Sequence, residues 1–542
     1  MKNTLCSIIL LICSLTVYGQ GFSDQQRNDW LKKSELNKPK LNLAMKKPKQ
    51  IVKIVKSDDA YQGWEPVKIG EMDSFYKSSF KEHSGIIIDF GEHMTGHFTF
   101  SLSPIKTAPD APARFKFTFG EVPSEVMTPF DPYVGGLSRA WLQDEVVTAM
   151  QVPSTITIPR RLSFRYVKIE LIGAPNYEFT ISKMWCEALT SASSIANELP
   201  QSVDPIIRDI DRVAHNTLKE CMQTVYEDGP KRDQRLWIGD LYLESLGNNY
   251  SFKQFDLTKR CLYLLAGQAN ADGFLPGCVY ENPDLYSFPQ TSLYEYALLF
   301  AVTLKDYLEA SGDRATVEEL WPVARKQLDI VRKYLKEDGM MDFEKAQKEW
   351  WIFFDWKQGL YKEAAFQGFN IFALRNTYQL AEMLGKEKEL SDVPSLIKKM
   401  TSAAKKNMYD KKSGFFVGTQ NKQVSYASQL WMILGGVATK KEGQRALEAL
   451  LTAPDVCRPG TPYLYHYYIQ SLIECDMKKE AKTAVVDFWG GMVKKGADTF
   501  WEAYDPQDDY ISPYGFHPIN SYCHAWSCTP VYFIRKYPEI FQ

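Results

Sequence analysis

The segment Asp228–Asp240, Asp-Gly-Pro-Lys-Arg-Asp-Gln-Arg-Leu-Trp-Ile-Gly-Asp, concentrates residues that could do acid–base chemistry. Its charged side chains are three carboxylates and three cations: Asp228, Asp233, Asp240, Lys231, Arg232 and Arg235. Gly229-Pro230 disfavours a helix at the start, so we expect a loop that leads into a helix. Arginines keep nearby acids ionised, whereas an apolar pocket favours the protonated form of an acid. A catalytic pair needs one protonated acid and one ionised base, so the two environments must differ. The alternative is a surface loop whose charges neutralise each other.

Three further motifs place a polar residue among aromatic residues. Asp355 lies in Trp350–Trp356, where it could bind sugar hydroxyls or cap a turn in a core cluster. Glu502 follows Trp501 and could activate a water molecule, or could be a solvated Glu after a buried Trp. His524 lies between aromatic residues and is either a ligand-binding or a structural histidine.

The elements that must position these residues change in type near residue 199. From about residue 51, short alternating runs separated by Gly, Pro, Asn and Asp predict strands, so we predict an antiparallel β-sandwich domain over residues 51–198. The predicted strands are Ile86–Phe90, His97–Leu102, Arg114–Glu121, Thr155–Ile158, Arg165–Leu171 and Tyr177–Trp185. Residues 21–50 are polar and predict a lead-in segment with a short helix near Asp24–Glu35.

Residues 199–542 repeat apolar positions at helical spacing, which predicts twelve successive helices. They are expected near 203–219, 238–250, 254–268, 290–311, 316–337, 364–385, 393–408, 424–436, 441–453, 463–474, 478–494 and 520–535. Twelve helices favour six hairpins closed into an (α/α)6 barrel. An open α-solenoid would show a short repeated sequence period, and none is visible. In a barrel, the 228–240 loop joins the first two helices and lines a pocket at one end.

The composition limits the classes of partner. The chain has 542 residues and a net charge of −2, from 64 basic and 66 acidic residues, which argues against a nucleic-acid partner. Aromatic residues make up 13% of the chain, which suits carbohydrate binding. The cysteines follow neither a zinc pattern nor a small disulfide framework, so we expect buried thiols, with an isolated disulfide as the alternative. No metal and no cofactor is predicted.

The N-terminus has the pattern of a secretory signal peptide. Lys2 precedes an apolar run, Leu5–Val17, that is too short to span a bilayer comfortably, and Val17 and Gly19 suit the cleavage site. We therefore predict that residues 1–20 are removed, with cleavage near Gly19/Gln20, and that the protein is secreted or periplasmic. An uncleaved anchor is the alternative. No later stretch is apolar enough to span a membrane.

These motifs, in this order, resemble the α-L-rhamnosidases of glycoside hydrolase family 78. The family's acidic stretch begins Asp-Cys-Pro and ends Gly-Asp, as Asp228-Gly-Pro and Gly239-Asp240 do here. The family's Asp-Trp and Phe-Trp-Glu motifs occur as Asp355-Trp356 and Phe500-Trp501-Glu502, and its late histidine as His524. The resemblance covers nearly the whole mature chain and implies an inverting glycoside hydrolase with a β-sandwich before a six-hairpin barrel.

The resemblance also implies roles for individual residues. The general acid falls at Asp233 and the general base at Glu502. The residues expected to bind the sugar are Asp228, Arg232, Trp237, Asp240, Asp355, Trp356, Trp501 and His524. An inverting pair predicts carboxyl groups about 6.5–9.5 Å apart. Asp233 is one methylene shorter than the family's usual Glu, so Asp228 and Asp240 remain alternative acids.

We therefore expect an enzyme that removes terminal α-L-rhamnose from plant or algal glycans or glycosides. One alternative is a hydrolase of the same fold for another sugar, such as an uronic acid. It would place cations in the pocket beyond Arg232 and Arg235. The other is a carbohydrate-binding relative without catalysis, because Asp233 is short and Gln234 cannot donate an acid proton. The oligomeric state is not predicted.

Overall fold

A computed structural model describes residues 21–106, 109–173, 175–193, 198–281, 285–287 and 292–542 of the protein. The predicted signal peptide, residues 1–20, lies outside the described residues, so the export prediction stays a prediction. An antiparallel sheet domain precedes a helical domain, which confirms the predicted fold class.

The described residues of the N-terminal domain form nine antiparallel strands. They are β1 (Asn42–Lys46), β2 (Gln50–Lys56), β3 (Trp64–Gly70), β4 (Ile86–Pro104), β5 (Ala113–Gly120), β6 (Asp144–Ala149), β7 (Ser154–Thr157), β8 (Leu162–Gly173) and β9 (Phe179–Thr190). Its helices are α1 (Asp24–Leu36), α2 (Met72–Phe75) and α3 (Pro123–Met127).

Strand β4 belongs to both layers of the sandwich. Its first part pairs with β2 and β8, and its second part pairs with β7 and β9. The pairing with β8 continues across a register shift between Asp89 and Met94 as far as Gly96, where the pairing with β9 begins. The layers meet in a core rich in phenylalanine, in which the rings of Phe98 and Phe117 lie 5.6 Å apart. The sequence predicts two separate strands here, and the structure joins them.

The C-terminal domain is built from helical hairpins. Its helices are α4 (Pro205–Cys221), α5 (Ile238–Tyr250), α6 (Phe255–Gly267), α7 (Tyr294–Ser311), α8 (Arg314–Tyr334), α9 (Phe343–Glu349), α10 (Glu363–Leu384), α11 (Val393–Met408), α12 (Tyr426–Leu434), α13 (Lys440–Thr452), α14 (Pro462–Glu474), α15 (Lys478–Lys494), α16 (Pro530–Lys536) and α17 (Pro538–Phe541). Three short strands, β10 (Leu236–Trp237), β11 (Cys278–Tyr280) and β12 (Tyr286–Ser287), form a small sheet.

Twelve of these helices form two rings. Helices α5, α7, α10, α12, α14 and α16 form the inner ring, and α4, α6, α8, α11, α13 and α15 form the outer ring. The rings close because α16 packs on α5 and α4 packs on α15, which rejects an open solenoid. Inner helices such as α5 are buried on nearly every side, whereas outer helices such as α4 bury one face.

The helix predicted near Asp24–Glu35 in the lead-in segment is confirmed as α1, which packs against α6 of the barrel. The sequence missed β1, which follows α1 and joins the sheet as a partner of β9. The last predicted helix, 520–535, is wrong at its start, because only Pro530–Lys536 is α-helical. The preceding residues form short turns whose backbone groups bond to the site residues.

Candidate active site

A pocket of about 220 Å³ lies where the barrel loops meet a loop of the β-sandwich. Its lining is mainly aromatic and acidic: Leu137, Asp228, Arg232, Asp233, Arg235, Trp237, Asp240, Leu293, Tyr296, Trp351, Phe353, Trp356, Glu502, Tyr514, His524 and Trp526. The volume lies below the roughly 300–1,000 Å³ of pockets for drug-sized ligands. It therefore suits one small ring.

The loop between α4 and α5 is folded around the carboxylate of Asp228. That carboxylate accepts the backbone N–H groups of Asp233 and Arg235, each at 3.1 Å. Gly229 permits the tight path, since a Cβ there would lie 2.4 Å from the carbonyl oxygen of Arg232. Burial raises the pKa of Asp228 well above its ordinary value, and the nearby charge of Asp233 adds to the rise. Asp228 therefore shapes the loop.

Arg232 connects the two predicted catalytic carboxylates. Its buried guanidinium donates from Nη2 to Glu502 and from Nη1 to Asp233, the latter at 3.4 Å. Its Nε donates to the carbonyl oxygen of Ile519 at 2.8 Å, which fixes the plane of the group. One arginine thus holds the proposed acid and base in the same pocket.

Glu502 is buried and its carboxylate accepts hydrogen bonds from three donors. They are Arg232, the hydroxyl of Tyr514 and the backbone N–H of Ser521, the last at 3.1 Å. The carbonyl oxygen of Glu502 also accepts the indole N–H of Trp526 at 2.9 Å. Backbone and side chain are both fixed, as a catalytic base requires.

Three buried polar atoms in the pocket lining have no hydrogen-bond partner among the described residues. They are Oδ1 of Asp240, Nδ1 of His524 and Nε1 of Trp356, and the first two lie 3.7 Å apart. Burial, together with the charges of Asp228 and Glu502, raises the pKa of Asp240 well above its ordinary value. Burial and the nearby Arg232 lower the pKa of His524 well below its ordinary value. A buried carboxyl group, an imidazole and an indole therefore offer hydrogen bonds to a hydroxyl-rich ligand.

Two residues that the sequence predicts as sugar contacts do not line the pocket. The carboxylate of Asp355 accepts Gly460 N and the Thr461 hydroxyl, both at 2.6 Å. It therefore holds the loop that carries Trp356, and its oxygens are occupied. Trp501 faces the other domain, where its ring stacks on Tyr61 with centroids 4.0 Å apart. It is a domain contact rather than a sugar platform.

The other eight predicted site residues all line the pocket. Sequence reasoning missed Tyr514, which lies in an irregular segment between Glu502 and His524. The aromatic residues clustered there, including Tyr510 and Phe516, were the available signal. It also missed Leu137, because a sandwich loop gives no sequence sign that it reaches the barrel.

Other expectations concern cysteines, metals and the membrane. Seven of the eight described cysteines are buried, and the Sγ atoms of Cys221 and Cys523 lie 3.9 Å apart, too far for a disulfide bond. In the described ranges, no three His, Cys, Asp or Glu side chains cluster as a metal site would require. None of the described helices is both long and apolar enough to cross a membrane.

Family models match both domains. The N-terminal domain of glycosyl hydrolase family 78 α-rhamnosidases matches residues 48–188. The six-hairpin glycosidase domain of bacterial α-L-rhamnosidases matches residues 201–537. No curated protein sequence matches the chain.

Solved structures agree with the family models. A rhamnosidase from Klebsiella oxytoca with rhamnose bound is 39% identical, with a TM-score of 0.90 over 94% of this chain and 99% of that one. A family 78 rhamnosidase of Bacillus sp. GL1 is 18% identical, with a TM-score of 0.68 over 83% of this chain and 46% of that one, and shares the fold. Together with the pocket described above, these matches show that the chain belongs to glycoside hydrolase family 78, the α-L-rhamnosidases.

Proposed function

We propose that this α-L-rhamnosidase is an exported, inverting enzyme that removes terminal rhamnose from plant or algal glycans or glycosides. The glycoside hydrolase activity follows from the family. The observation that supports a two-carboxylate mechanism is the arginine bridge, in which Arg232 holds Asp233 and Glu502 in one pocket. Inversion is proposed from the resemblance to the family, and the configuration of the first-formed sugar tests it. An inverting enzyme needs two carboxyl groups with a water molecule beside one of them.

Asp233 is the proposed general acid. Its side chain is 19% exposed, whereas those of Asp240 and Glu502 are 3% and 2% exposed, so it faces the mouth where a leaving group must depart. The oxygens of Asp228 accept the N–H groups of the catalytic loop, which makes Asp228 a poor proton donor to substrate. In the proposed step, Asp233 transfers its proton to the glycosidic oxygen as the bond to the anomeric carbon breaks.

Glu502 is the proposed general base. Its Oε1 accepts only the hydroxyl of Tyr514 among the described groups, which leaves room for a water molecule to donate to the same oxygen. Glu502 takes a proton from this water as the water oxygen attacks the anomeric carbon on the face opposite the leaving group. The product sugar then has the inverted configuration.

The pocket supports a single terminal sugar as the ligand. Its small volume admits one ring, and Asp240, His524 and Trp356 present polar atoms for hydroxyl groups. The Klebsiella rhamnosidase has rhamnose bound, and its 39% identity supports the same sugar here. Among the described residues that line the pocket, the only cations are Arg232 and Arg235, and both lie within ion-pair distance of Asp233. No lining residue therefore favours the alternative uronic-acid substrate.

Replacing Asp233 tests the acid role. Asp233→Asn should abolish cleavage of natural rhamnosides, whose leaving groups need a proton, because acid assistance is worth about 10²–10⁴-fold. An activated aryl α-L-rhamnoside needs less protonation and should lose less rate. Steady-state kinetics on both substrates, with NMR of the first-formed anomer, measure the roles and the stereochemistry.

Glu502→Gln is the matched control, since every substrate needs the attacking water. It should lower the rates on both substrates by similar factors. Equal losses on both substrates for Asp233→Asn would overturn the acid assignment. The same measurement on Asp228→Asn and Asp240→Asn would then identify the acid.

The export proposal rests on Lys2 and the apolar run Leu5–Val17. Protein recovered from the periplasm or medium should begin near Gln20, because signal peptidase removes the preceding residues. Intact-mass spectrometry measures the terminus. An N-terminus at Met1 on exported protein would contradict cleavage.

A further inference from the structure

The segment 512–522, which follows Glu502 in the barrel domain, makes several of the contacts that hold the proposed base. The hydroxyl of Tyr514 donates to Oε1 of Glu502. The guanidinium carbon of Arg232 lies 4.5 Å from the centre of the Tyr514 ring. Ser521, in the same segment, donates its N–H to Oε2 of Glu502 at 3.1 Å. The position of this segment therefore determines where the carboxylate of Glu502 points.

The β-sandwich holds the opposite side of this segment. Its loop 128–143, which we call the bridging loop, connects α3 to β6. The backbone N–H of Gly136 donates to the carbonyl oxygen of Tyr514 at 2.9 Å. Residues of the bridging loop and the segment also share an apolar cluster, formed by Phe130, Leu142, Ile519, Tyr133, Leu137, Trp141, Tyr514 and Phe516. Because Leu137 also lines the pocket, the bridging loop reaches the site itself.

The sandwich also fixes the far end of the segment. Glu121, directly after β5, accepts the backbone N–H of Tyr522 at 2.7 Å. The carboxylates of Glu121 and Glu125 form ion pairs with the buried ammonium group of Lys231, at 3.1 and 2.6 Å. Lys231 is next to Arg232 in sequence. The loop between α4 and α5 and the segment 512–522 are therefore both attached to the sandwich by buried polar groups.

We propose that the β-sandwich is part of the catalytic apparatus, because its bridging loop holds Tyr514, and Tyr514 positions the carboxylate of Glu502 for the attacking water. This inference rests on the proposed base role of Glu502. Tyr514 acts through Glu502 and is therefore a positioning residue. A small displacement of a catalytic group lowers turnover strongly, so the contact is sensitive to the loop that supports it.

Removing the hydroxyl of Tyr514 tests whether Tyr514 positions Glu502. Tyr514→Phe keeps the ring over Arg232 but removes the donor to Glu502. We expect kcat on an aryl α-L-rhamnoside to fall about tenfold, the order expected for one hydrogen bond to a charged group. KM should change by less than about twofold, because the pocket lining keeps its shape.

Substitutions of Gly136 test whether the bridging loop holds Tyr514. Gly136→Pro removes the N–H that bonds to Tyr514 and should lower kcat several-fold with little change in KM. Gly136→Ala keeps the N–H, and its Cβ would lie 3.5 Å from the Tyr514 carbonyl oxygen, an ordinary contact, so it should restore most of kcat. Val134→Ala, an exposed position in the same loop, should have the wild-type kcat and KM.

The double variant that combines Gly136→Pro with Tyr514→Phe separates an effect on the position of Tyr514 from a general destabilisation of the fold. If the loop acts through the Tyr514 hydroxyl, Gly136→Pro should cost little further kcat in the Tyr514→Phe background. If the two substitutions lower kcat by independent factors that multiply in the double variant, or if they raise KM and leave kcat unchanged, the inference is overturned. Wild-type kcat in Tyr514→Phe, alongside an inactive Glu502→Gln, would refute this inference alone. An active Glu502→Gln would instead refute the proposed function.

Discussion

Asp355 supports the site, although its side chain does not line the pocket. Its carboxylate accepts the Thr461 hydroxyl and the N–H groups of Gly460 and Trp356. It thereby ties the aromatic loop that carries Trp356 to the start of α14. Burial is the largest influence and raises the pKa of Asp355 to about 6, although the hydrogen bonds oppose the rise. The Asp-Trp motif is thus a support for Trp356, and the aromatic ring is the part that reaches the pocket.

The pKa of Asp355 predicts a pH-dependent contribution to stability. The folded-state pKa of about 6 lies above the value of about 3.9 for an unfolded Asp. The folded state therefore gains stability below pH 4 and loses it as the pH rises through 6. The difference in free energy of unfolding between wild type and Asp355→Asn should shrink by about 2–3 kcal/mol from pH 4 to 7. Urea unfolding at several pH values measures it.

Asp313 supplies a control of opposite sign. It caps α8, and its hydrogen bonds, chiefly with Thr316, lower its pKa to about 2 against the opposing effect of burial. Its contribution is present above pH 4 and is lost as the pH falls toward 2. The wild-type advantage over Asp313→Asn should therefore shrink on acidification. A change of the same sign in both variants would contradict this reading of Asp355.

At the scale of elements, the sequence predicts helices better than strands, for a physical reason. Helices such as α8 and α11 bury one face, so their apolar residues recur with the helical period. Strand β1 is exposed at four of its five residues, and β3 is mostly exposed, so neither shows the alternation that marks a half-buried strand. In the site, charged residues close in sequence were predictable. The direction of the Trp501 ring and the approach of Leu137 depend on how the two domains pack.

The catalytic loop between α4 and α5 depends on a buried ion pair for its position. Lys231→Met would leave Glu125 buried without its cation and would leave Glu121 with His93 as its remaining partner, which should cost about 3–5 kcal/mol of stability. Chemical denaturation measures the loss. Adding Glu125→Gln should recover part of it, because one of the two carboxylates then needs no cation. An unchanged stability in Lys231→Met would contradict this account of the loop.

At the scale of the whole molecule, the two domains share buried contacts. Tyr61 of the sandwich stacks on Trp501 of the barrel, and Lys231 of the barrel bonds to Glu125 of the sandwich. Neither set of residues keeps its partners if one domain unfolds. The domains should therefore unfold together rather than in turn.

Differential scanning calorimetry tests this coupling. We expect one transition whose calorimetric and van't Hoff enthalpies agree. Lys231→Met should lower the temperature of that transition, since it weakens the interface. Two resolved transitions in the wild-type protein would show that the sandwich and the barrel are independent.

The small pocket has a consequence for how a polymer would be degraded. If the substrate is a glycan, as proposed, a cavity of about 220 Å³ has room for the terminal ring and not for several rings of the chain interior. Each encounter then releases one monosaccharide, and the rate follows the number of chain ends rather than the mass of polymer. A solution of the glycan would accumulate reducing sugar while its viscosity stayed nearly constant. Such an enzyme contributes trimming, and another activity must cut the backbone.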